Sequence, residues 1–317
     1  MTRFLLARLL QVLLVLAVMS FVIYGLIGLM PGDPINLMLA ADPHLTAADV
    51  ARLKALQGLD QPLLKRYLAW AAAALHGNFG YSRLYAMPAI AALLPRLVNT
   101  GVLMGLSFVL ALALALPLGA LAARRPGSAF DTIVNLLSFA GISVPPFWLA
   151  LMLILVFAVA LGWLPPGGVA TIGDGGLLDR ARHLVLPVTV LTLASLGGYL
   201  RYARAAVIEA LRQDYVRTAR AKGASEARIL WHHAWRNALV PVITVVALSF
   251  GSLFSGALVT ETMFAYPGMG KLIYDAILGN DFNLALAALL LATLLVLLSN
   301  LAADIAYAAA DPRISYR

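Results

Sequence analysis

Six long stretches without a charged residue limit what this chain can fold into. They cover residues 9–30, 97–123, 133–161, 184–200, 238–260 and 284–303. Each stretch is long enough for a helix to cross a hydrocarbon layer roughly 30 Å thick, and lipid cannot satisfy the backbone groups of an open structure. The sequence therefore predicts an all-α polytopic membrane protein with six transmembrane helices. Pro117, Pro145 and Pro146 lie within these stretches and are expected to kink or interrupt the helices.

The distribution of basic residues predicts the orientation of the helices. With the N-terminus inside, the inner segments hold 14 of the 23 Lys and Arg residues, whereas the second and third outer loops hold 3. The long first outer loop contributes little to orientation, and cytoplasmic loops are the basic ones. Both termini are therefore expected in the cytoplasm. The net charge of +8 reflects this topology in a lipid bilayer and needs no nucleic-acid partner.

The loop after the first stretch, residues 31–96, is long enough to hold structure of its own. A capping-box pattern at residues 46–49 predicts a short helix that Gly58 ends, and a second helix is expected from Pro62 to Leu75. This loop and the first transmembrane helix form one predicted domain, residues 1–96. Residues 97–317 form the second, a core of five transmembrane helices that contains the loop 201–237.

The loop 201–237 is a basic, polar island between two apolar stretches. It holds eight Lys or Arg residues and three Asp or Glu residues. A helix is expected from Tyr202 to Lys222, and Gly223 ends it because glycine readily takes a positive φ. Ser225 then caps a second short helix that reaches Arg236. Two helices joined at a glycine and projecting from a membrane form a compact feature that another protein can grip.

The absence of certain residues argues against several kinds of transport and catalysis. The six stretches hold no Asp, Glu, Lys, Arg or His, so the sequence offers no evident site for a coupling proton. Residues 268–272 (Gly-Met-Gly-Lys-Leu) are not a nucleotide-binding P-loop, because the upstream glycine and the hydroxyl residue are missing. Without cysteine, thiol catalysis and thiolate metal sites are excluded. We expect no cofactor or metal in this chain, and the energy for transport must come from elsewhere.

Two alternative functions remain, and one candidate metal site is set aside. Ser107 and Ser143 each follow a Gly-x pair, and with His183 as the base they would suit an intramembrane serine protease. His183, however, is expected at the outer edge of the fourth transmembrane helix. His232 and His233 are adjacent, so on a helix they point about 100° apart and cannot easily share a metal. A self-sufficient channel or carrier is the second alternative.

Residues 217–223 (Arg-Thr-Ala-Arg-Ala-Lys-Gly) and 236–241 (Arg-Asn-Ala-Leu-Val-Pro) resemble the coupling loop of ATP-binding-cassette importer permeases. The resemblance is to the dipeptide/oligopeptide/nickel branch. The wider family's pattern Glu-Ala-Ala-x-x-x-Gly falls on Arg217, Thr218, Ala219 and Gly223. Arg217 replaces the glutamate and Thr218 the first alanine, so a salt bridge made by that glutamate is not carried over, whereas the docking role is.

Further motifs match the same branch in order along nearly the whole chain. They are residues 31–34 (Pro-Gly-Asp-Pro), 58–62 (Gly-Leu-Asp-Gln-Pro) with Tyr67, 77–80 (Gly-Asn-Phe-Gly) with Ser82, 143–148 (Ser-Val-Pro-Pro-Phe-Trp), 261–270 (Glu-Thr-Met-Phe-Ala-Tyr-Pro-Gly-Met-Gly) and 311–313 (Asp-Pro-Arg). The branch more often has Asp where Asn78 stands. Each motif alone is weak, but all of them in order, together with six apolar stretches, are highly specific.

The resemblance implies a permease subunit, not an enzyme, of an ATP-driven importer in the bacterial inner (cytoplasmic) membrane. Such a subunit pairs with a second, homologous permease subunit, with two cytoplasmic ATPases that hold ATP and Mg, and with a periplasmic substrate-binding protein. The first outer loop is then periplasmic. Di- or oligopeptides are the expected cargo, and nickel chelates or other small solutes are the alternative.

Two sets of site residues follow. The ATPase-coupling loop is expected at Arg217, Thr218, Ala219, Arg220, Lys222, Gly223 and Ala224. Glu261 and Tyr266, beside the outer end of the fifth transmembrane helix, are candidates for an outer gate.

Overall fold

The computed structural model describes residues 2–29, 61–250 and 257–310, and this part of the chain is mainly helical. Its elements in chain order are α1 (Thr2–Gly28), α2 (Leu63–Leu75), β1 (Tyr81–Ser82), β2 (Met87–Pro88), α3 (Ala89–Arg124), α4 (Ala129–Ser143), α5 (Pro146–Leu153), α6 (Leu177–Leu211), α7 (Asp214–Ala221), α8 (Glu226–Arg228), α9 (Trp235–Phe250), α10 (Leu258–Met263), α11 (Met269–Leu278) and α12 (Phe282–Ala310). Two π-helical segments, Ile154–Ala160 and Ile229–Ala234, continue α5 and α8. The short helix expected from the capping box at residues 46–49 falls outside the described residues.

Four helices in the described ranges are long and apolar enough to cross a membrane. They lie in α1, α3, α6 and α12 and correspond to the first, second, fourth and sixth predicted stretches. The helices α4 and α5, with the π-helical extension, form a bent pair that adds a fifth span if it crosses as one unit. The fifth predicted stretch falls on α9 and on residues 251–256, which are not described. The chain is thus a helical, multi-pass membrane protein, and the count of six spans remains a prediction.

The third predicted stretch is broken at Val144 and Pro145. The axes of the helical segments on either side differ by 98°. Both residues have extended backbone conformations, because a residue that precedes proline is disfavoured in the α region, and Pro146 then starts α5 at a position that needs no amide hydrogen. The predicted interruption at Pro145 and Pro146 is confirmed. Pro117, by contrast, does not interrupt α3.

The chain divides into two compact units, and the first comprises residues 1–97 and 272–295. In this unit α2 packs on α1 through aromatic side chains. The ring of Tyr67 lies 5.1 Å from that of Phe21 and 5.7 Å from that of Tyr24, and the hydroxyls of Tyr67 and Ser20 are 2.8 Å apart. The helix expected from Pro62 to Leu75 is therefore confirmed, and its aromatic residues face α1.

A short antiparallel hairpin of β1 and β2, in the same unit, is the one departure from an all-α architecture within the described residues. The buried hydroxyl of Ser82 donates to Oδ2 of Asp281 at 2.6 Å, and the N–H of Leu84 donates to the same oxygen at 3.0 Å. The other oxygen of Asp281 accepts the N–H of Leu284 at 3.2 Å, which caps α12. One buried carboxylate therefore fixes both the hairpin and the start of a helix.

The second unit comprises residues 98–271 and 296–317, and α6 packs there against α3, α4 and α9. The backbones of α4 and α6 approach closely at two glycines. A Cβ on Gly141 would lie 2.9 Å from the carbonyl oxygen of Leu193, and a Cβ on Gly197 would overlap the carbonyl oxygen of Ser138. Such contacts between small residues let membrane helices pack tightly.

Two buried clusters hold opposite ends of this unit together. One cluster contains Leu103 of α3, Ala150 of α5 and Val190 of α6, with Phe264 and Tyr266 from the loop after α10. The other cluster joins the ends of α3, α6 and α9 with the π-helical segment before α9; its members are Ala120, Ala123, Val207, Ala210, Leu230, Ala234 and Ala238. The two candidate sites lie next to these clusters.

Candidate functional site

Residues 212–228, which we call the basic knob, form two short helices joined at a glycine. The helix α7 ends at Ala221, and Gly223 follows with a φ of +80°. The hydroxyl of Ser225 accepts the N–H of Arg228 at 3.4 Å and caps α8. The expected glycine stop and serine cap are therefore confirmed. A residue with a Cβ is strained at such a φ, so the turn requires glycine.

The helix that enters the knob differs from the expected one. A single helix was expected from Tyr202 to Lys222, but α6 ends at Leu211, and Gln213 has an extended conformation before α7 begins. The break turns the apolar face of α7 back onto the fold, where Val216 packs against Ile229. Burial of the apolar face of α7 favours a turn over a straight helix. Without this burial, nothing within the helix would end it at Leu211.

The second helix of the knob also differs from the expectation, because it does not stop at Arg236. The helix α8, the π-helical segment and α9 follow one another without a non-helical residue, and both Arg228 and Trp235 have helical backbone angles. Asn237 donates a side-chain hydrogen bond to the carbonyl oxygen of His233 at 2.7 Å, across this junction. The knob is therefore joined to α9 by continuous helical backbone and to α6 by a turn.

The seven residues expected in the coupling loop do not all face outward. The exposed ones are Arg217, Thr218, Arg220, Lys222 and Gly223. Ala224 is half-buried, and Ala219 is buried against Val216 and Ile229. In this structure Ala219 thus supports the knob from inside, whereas the exposed residues form its surface.

An ion pair bridges the turn at Gly223. Arg220 Nε donates to Glu226 Oε1 at 2.8 Å, and Nη2 donates to Oε2 at 3.2 Å. The hydrogen bond from Arg220 lowers the pKa of the Glu226 carboxyl, and the same bond raises the pKa of the Arg220 guanidinium. Both side chains are about half exposed, so water weakens the attraction, and the pair mainly orients the two helices.

The surface of the basic knob carries an excess of positive charge. Its exposed basic residues are Arg212, Arg217, Arg220, Lys222 and Arg228, and its exposed acids are Asp214 and Glu226. Arg217 Nη1 lies 3.4 Å from Asp214 Oδ1. This is a loose surface contact, and it leaves most of the guanidinium donors of Arg217 available. Such a surface suits a partner that presents carboxylates and carbonyl oxygens.

Glu261, the first candidate for the outer gate, is fully buried in α10 and holds the loop that follows. Its Oε1 accepts the hydroxyl of Thr100 at 2.7 Å, and its Oε2 accepts the N–H of Lys271 at 2.9 Å. The Thr100 oxygen in turn accepts the N–H of Met269 at 2.8 Å. The carboxylate therefore ties α3, α10 and the start of α11 together.

Two glycines make room for this carboxylate. A Cβ on Gly268 would overlap the carboxyl group of Glu261, and a Cβ on Gly270 would lie 2.9 Å from Cα of Leu258. The sequence Pro-Gly-Met-Gly at residues 267–270 is thus explained by the close approach of a backbone loop to a buried acid.

Tyr266, the second candidate, is buried on the same loop. Its N–H donates to the carbonyl oxygen of Glu261 at 2.8 Å, and its hydroxyl donates to the carbonyl oxygen of Asn99 at 3.1 Å. The side chain of Asn99 donates to the carbonyl oxygen of Pro267 at 2.9 Å. Burial, with the nearby Glu261 carboxylate, raises the pKa of the Tyr266 phenol to about 12. Both candidates are occupied in holding the loop against α3.

Sequence reasoning missed the partners of these residues. Asn99 and Thr100 stand at the start of an otherwise apolar stretch, and that polar pair was the available signal. It also missed Asp131 and Arg204, which form a two-bond ion pair between α4 and α6. They are 73 residues apart, so no local pattern joins them.

Two of the groups proposed for a serine protease are engaged by backbone carbonyl oxygens. Ser107 donates its hydroxyl to the carbonyl oxygen of Leu103 at 2.7 Å, and Nδ1 of His183 lies 2.9 Å from the carbonyl oxygen of Asp179. Ser143 is exposed at the end of α4. Within the described part of the chain, no three His, Cys, Asp or Glu side chains are grouped as metal ligands.

The described residues thus form a helical membrane core, a basic knob and a loop held by a buried acid. The family described as binding-protein-dependent transport system inner membrane component matches residues 115–316, and its N-terminal family matches residues 1–89. The chain belongs to this family, so it is a multi-pass inner-membrane subunit of a transport system and not an enzyme.

Named relatives agree with this assignment, and one solved structure has a similar fold. The chain is 42% identical over 307 residues to the oligopeptide transport system permease protein AppB of Bacillus subtilis (strain 168), covering 96% of both chains. It is 39% identical to the di/tripeptide transport system permease protein DppB of Pseudomonas aeruginosa (strain UCBPP-PA14), covering 93% of both. Its fold resembles a chain of the inward-facing MetNI methionine ABC transporter, with a TM-score of 0.54, 20% identity, and coverage of 68% of this chain and 95% of that one.

Proposed function

We propose that this chain is the permease subunit of an ATP-driven importer that carries di- or oligopeptides into the cytoplasm. The observation that carries the cargo assignment is its identity of about 40% to two peptide permeases over almost their whole length. The uncharged apolar stretches support it, because a path without fixed charges tolerates varied side chains and favours peptides over a bare cation.

The proposed topology has six transmembrane helices with both termini and the basic knob in the cytoplasm. The bias of Lys and Arg supports it, since the basic knob and Arg124 and Arg125 fall on the same side in this arrangement. Residues 31–96 and the loop after α10 then face the periplasm. The division into a domain of residues 1–96 and a permease core of residues 97–317 belongs to the same proposal.

The proposed complex contains a second homologous permease subunit, two cytoplasmic ATPases that hold ATP and Mg, and a periplasmic binding protein. The exposed face of the basic knob docks on an ATPase through Arg217, Thr218, Arg220, Lys222 and Gly223. Its positive charge and its continuous helical connection to α9 support this role. Ala219 and Ala224 support the knob from beneath.

For Glu261 and Tyr266 we propose a supporting role at the outer side. Their polar atoms are taken up by Thr100, Lys271 and Asn99, so they shape the loop of an outer gate instead of contacting the cargo.

The experiment that tests the function is uptake into liposomes. The chain is reconstituted with its permease partner, the ATPases and the binding protein, and a radiolabelled tripeptide is supplied outside. We expect uptake that requires both ATP and the binding protein. Uptake by this chain alone, without ATPases, would identify a self-sufficient carrier and contradict the proposal, and uptake of a nickel chelate in place of the peptide would contradict the cargo.

Substitution of Gly223 tests the docking site. Gly223→Val forces a branched residue to a φ of +80°, which costs roughly 1–2 kcal/mol and distorts the turn. We expect peptide uptake to be lost while the amount of chain in the membrane is unchanged. The matched control is Gly173→Val, because Gly173 has a φ of +89° and equally open surroundings outside the knob. Equal loss of uptake in both variants would contradict docking at Gly223.

A further inference from the structure

Asp131 is held by more donors than its place at a helix start requires. It is the third residue of α4 and is 3% exposed. Arg204 Nε donates to Oδ1 of Asp131 at 2.6 Å, and Arg204 Nη2 donates to Oδ2 at 2.7 Å. The N–H of Gly127 also donates to Oδ2, at 2.8 Å, and the side chain of Asn135 also donates to Oδ1, at 2.9 Å. An acidic residue in the first turn stabilises the helix through the helix dipole, even without an arginine partner. The bidentate pair, with its fixed geometry, adds a link to another helix.

Arg204 lies on α6 where that helix is fixed on several sides before it reaches the knob. The neighbouring Ala203 is fully buried. A Cβ added to Gly119 of α3 would lie only 2.9 Å from the Cβ of Ala203, so the two helices are in close contact here. Val207 is buried one turn later, in the cluster that includes Leu230 and Ala234 of the π-helical segment. A displacement of the knob therefore reaches Arg204 through a buried and tightly packed length of α6.

The helix α4 follows α6 beyond the ion pair. The backbones of α4 and α6 touch at Gly141 and Gly197, on the side of the ion pair that is away from the knob. After the 98° bend, α5 places Ala150 in the cluster with Phe264 and Tyr266 of the loop after α10. A continuous packed path thus runs from the knob to the loop that Glu261 holds.

We propose that Asp131 and Arg204 are positioning residues that transmit movement of the basic knob from α6 to the bent pair α4–α5. The inference rests on the proposed docking of an ATPase on the knob. The fork of Arg204 resists both sliding and rotation between the two helices, because both of its bonds must keep their direction. Without this ion pair, α6 can move while α4 stays behind.

The test measures transport per ATP in the reconstituted complex. Asp131→Asn keeps the size of the side chain but loses the charge, and Arg204→Lys keeps the charge but loses the fork. For each we expect assembly with both ATPases as in the wild type, and peptide moved per ATP hydrolysed about tenfold lower. The double variant Asp131→Asn/Arg204→Lys is expected to be no worse than the poorer single variant, because both residues act in one contact.

The matched control is Asp179→Asn. Asp179 is also the third residue of its helix, and it also accepts a backbone N–H, from Thr171 at 2.7 Å. Its other oxygen accepts the Thr171 hydroxyl at 2.7 Å, within its own loop and not from a second helix. We expect this variant to transport the wild-type amount per ATP.

Each result decides the inference. Wild-type transport per ATP in Asp131→Asn and Arg204→Lys would overturn it. Loss of both variants from the membrane would also overturn it, because the pair would then serve folding. If the wild-type complex hydrolyses ATP but moves no peptide, the proposed cargo is wrong. The inference is then judged by stimulation of ATP hydrolysis by the binding protein, which both variants should lower about tenfold.

Discussion

Replacing Glu261 by alanine should release the loop between α10 and α11 from α3. The substitution removes the acceptors for the Thr100 hydroxyl at 2.7 Å and for the Lys271 N–H at 2.9 Å. Thr100 then also loses its fixed orientation toward the N–H of Met269. Because Glu261 is fully buried, water does not readily replace the lost bonds.

The size of the effect follows from the two lost bonds. A hydrogen bond to a charged group contributes about 1.5–3 kcal/mol, so the closed loop should lose about 3–6 kcal/mol. At about 1.4 kcal/mol for each factor of ten, the lower value corresponds to a roughly 100-fold larger open population. Glu261→Gln keeps one acceptor oxygen, so its effect should lie between those of Glu261→Ala and the wild type.

Amide hydrogen exchange of residues 264–271, measured by mass spectrometry on the purified chain in detergent, reports this opening. The control is Glu209→Ala, because Glu209 is an exposed glutamate of α6 that accepts a side-chain bond from Gln213 at 3.0 Å. That change should alter stability by about 0.5 kcal/mol or less. If exchange at residues 264–271 in Glu261→Ala stays within the range of this control, the carboxylate does not hold the loop.

Two other predictions concern the same features. Gly268→Ala places a Cβ against the Glu261 carboxyl group and should cost about 1–3 kcal/mol of loop stability by the same exchange measurement, whereas Gly175→Ala, with nothing within 4 Å, should have little effect. Because the pKa of Glu226 is lowered, its pair with Arg220 contributes fully to the stability of the knob at pH values above the ordinary carboxyl pKa of 4.5. This contribution is lost as the pH falls through the lowered pKa. Arg220→Met should move the titration midpoint of Glu226, followed by carbon NMR of a labelled carboxyl group, back toward 4.5; an unmoved midpoint would exclude Arg220 as the cause.

Features set by local chemistry could be predicted from the sequence. The spans in α1, α3, α6 and α12 follow from long uncharged apolar runs, since a charged side chain in hydrocarbon is costly. The break at Pro145 and Pro146 follows from the ring of proline, and the stop at Gly223 and the cap at Ser225 follow from backbone conformation and a hydroxyl. Each of these signals acts within a few residues, so a single sequence contains it.

Features that depend on a distant partner were decided only by the tertiary structure. The break between α6 and α7 arises because Val216 is buried against Ile229, and the inward position of Ala219 has the same cause. From the sequence, Glu261 is a candidate for an outer gate beside the fifth apolar stretch, yet it is buried, and Thr100 and Lys271 engage its carboxyl group in hydrogen bonds. The pair of Asp131 and Arg204 joins residues 73 positions apart. A sequence records which groups need partners, whereas the packing of the helices selects which partners they meet.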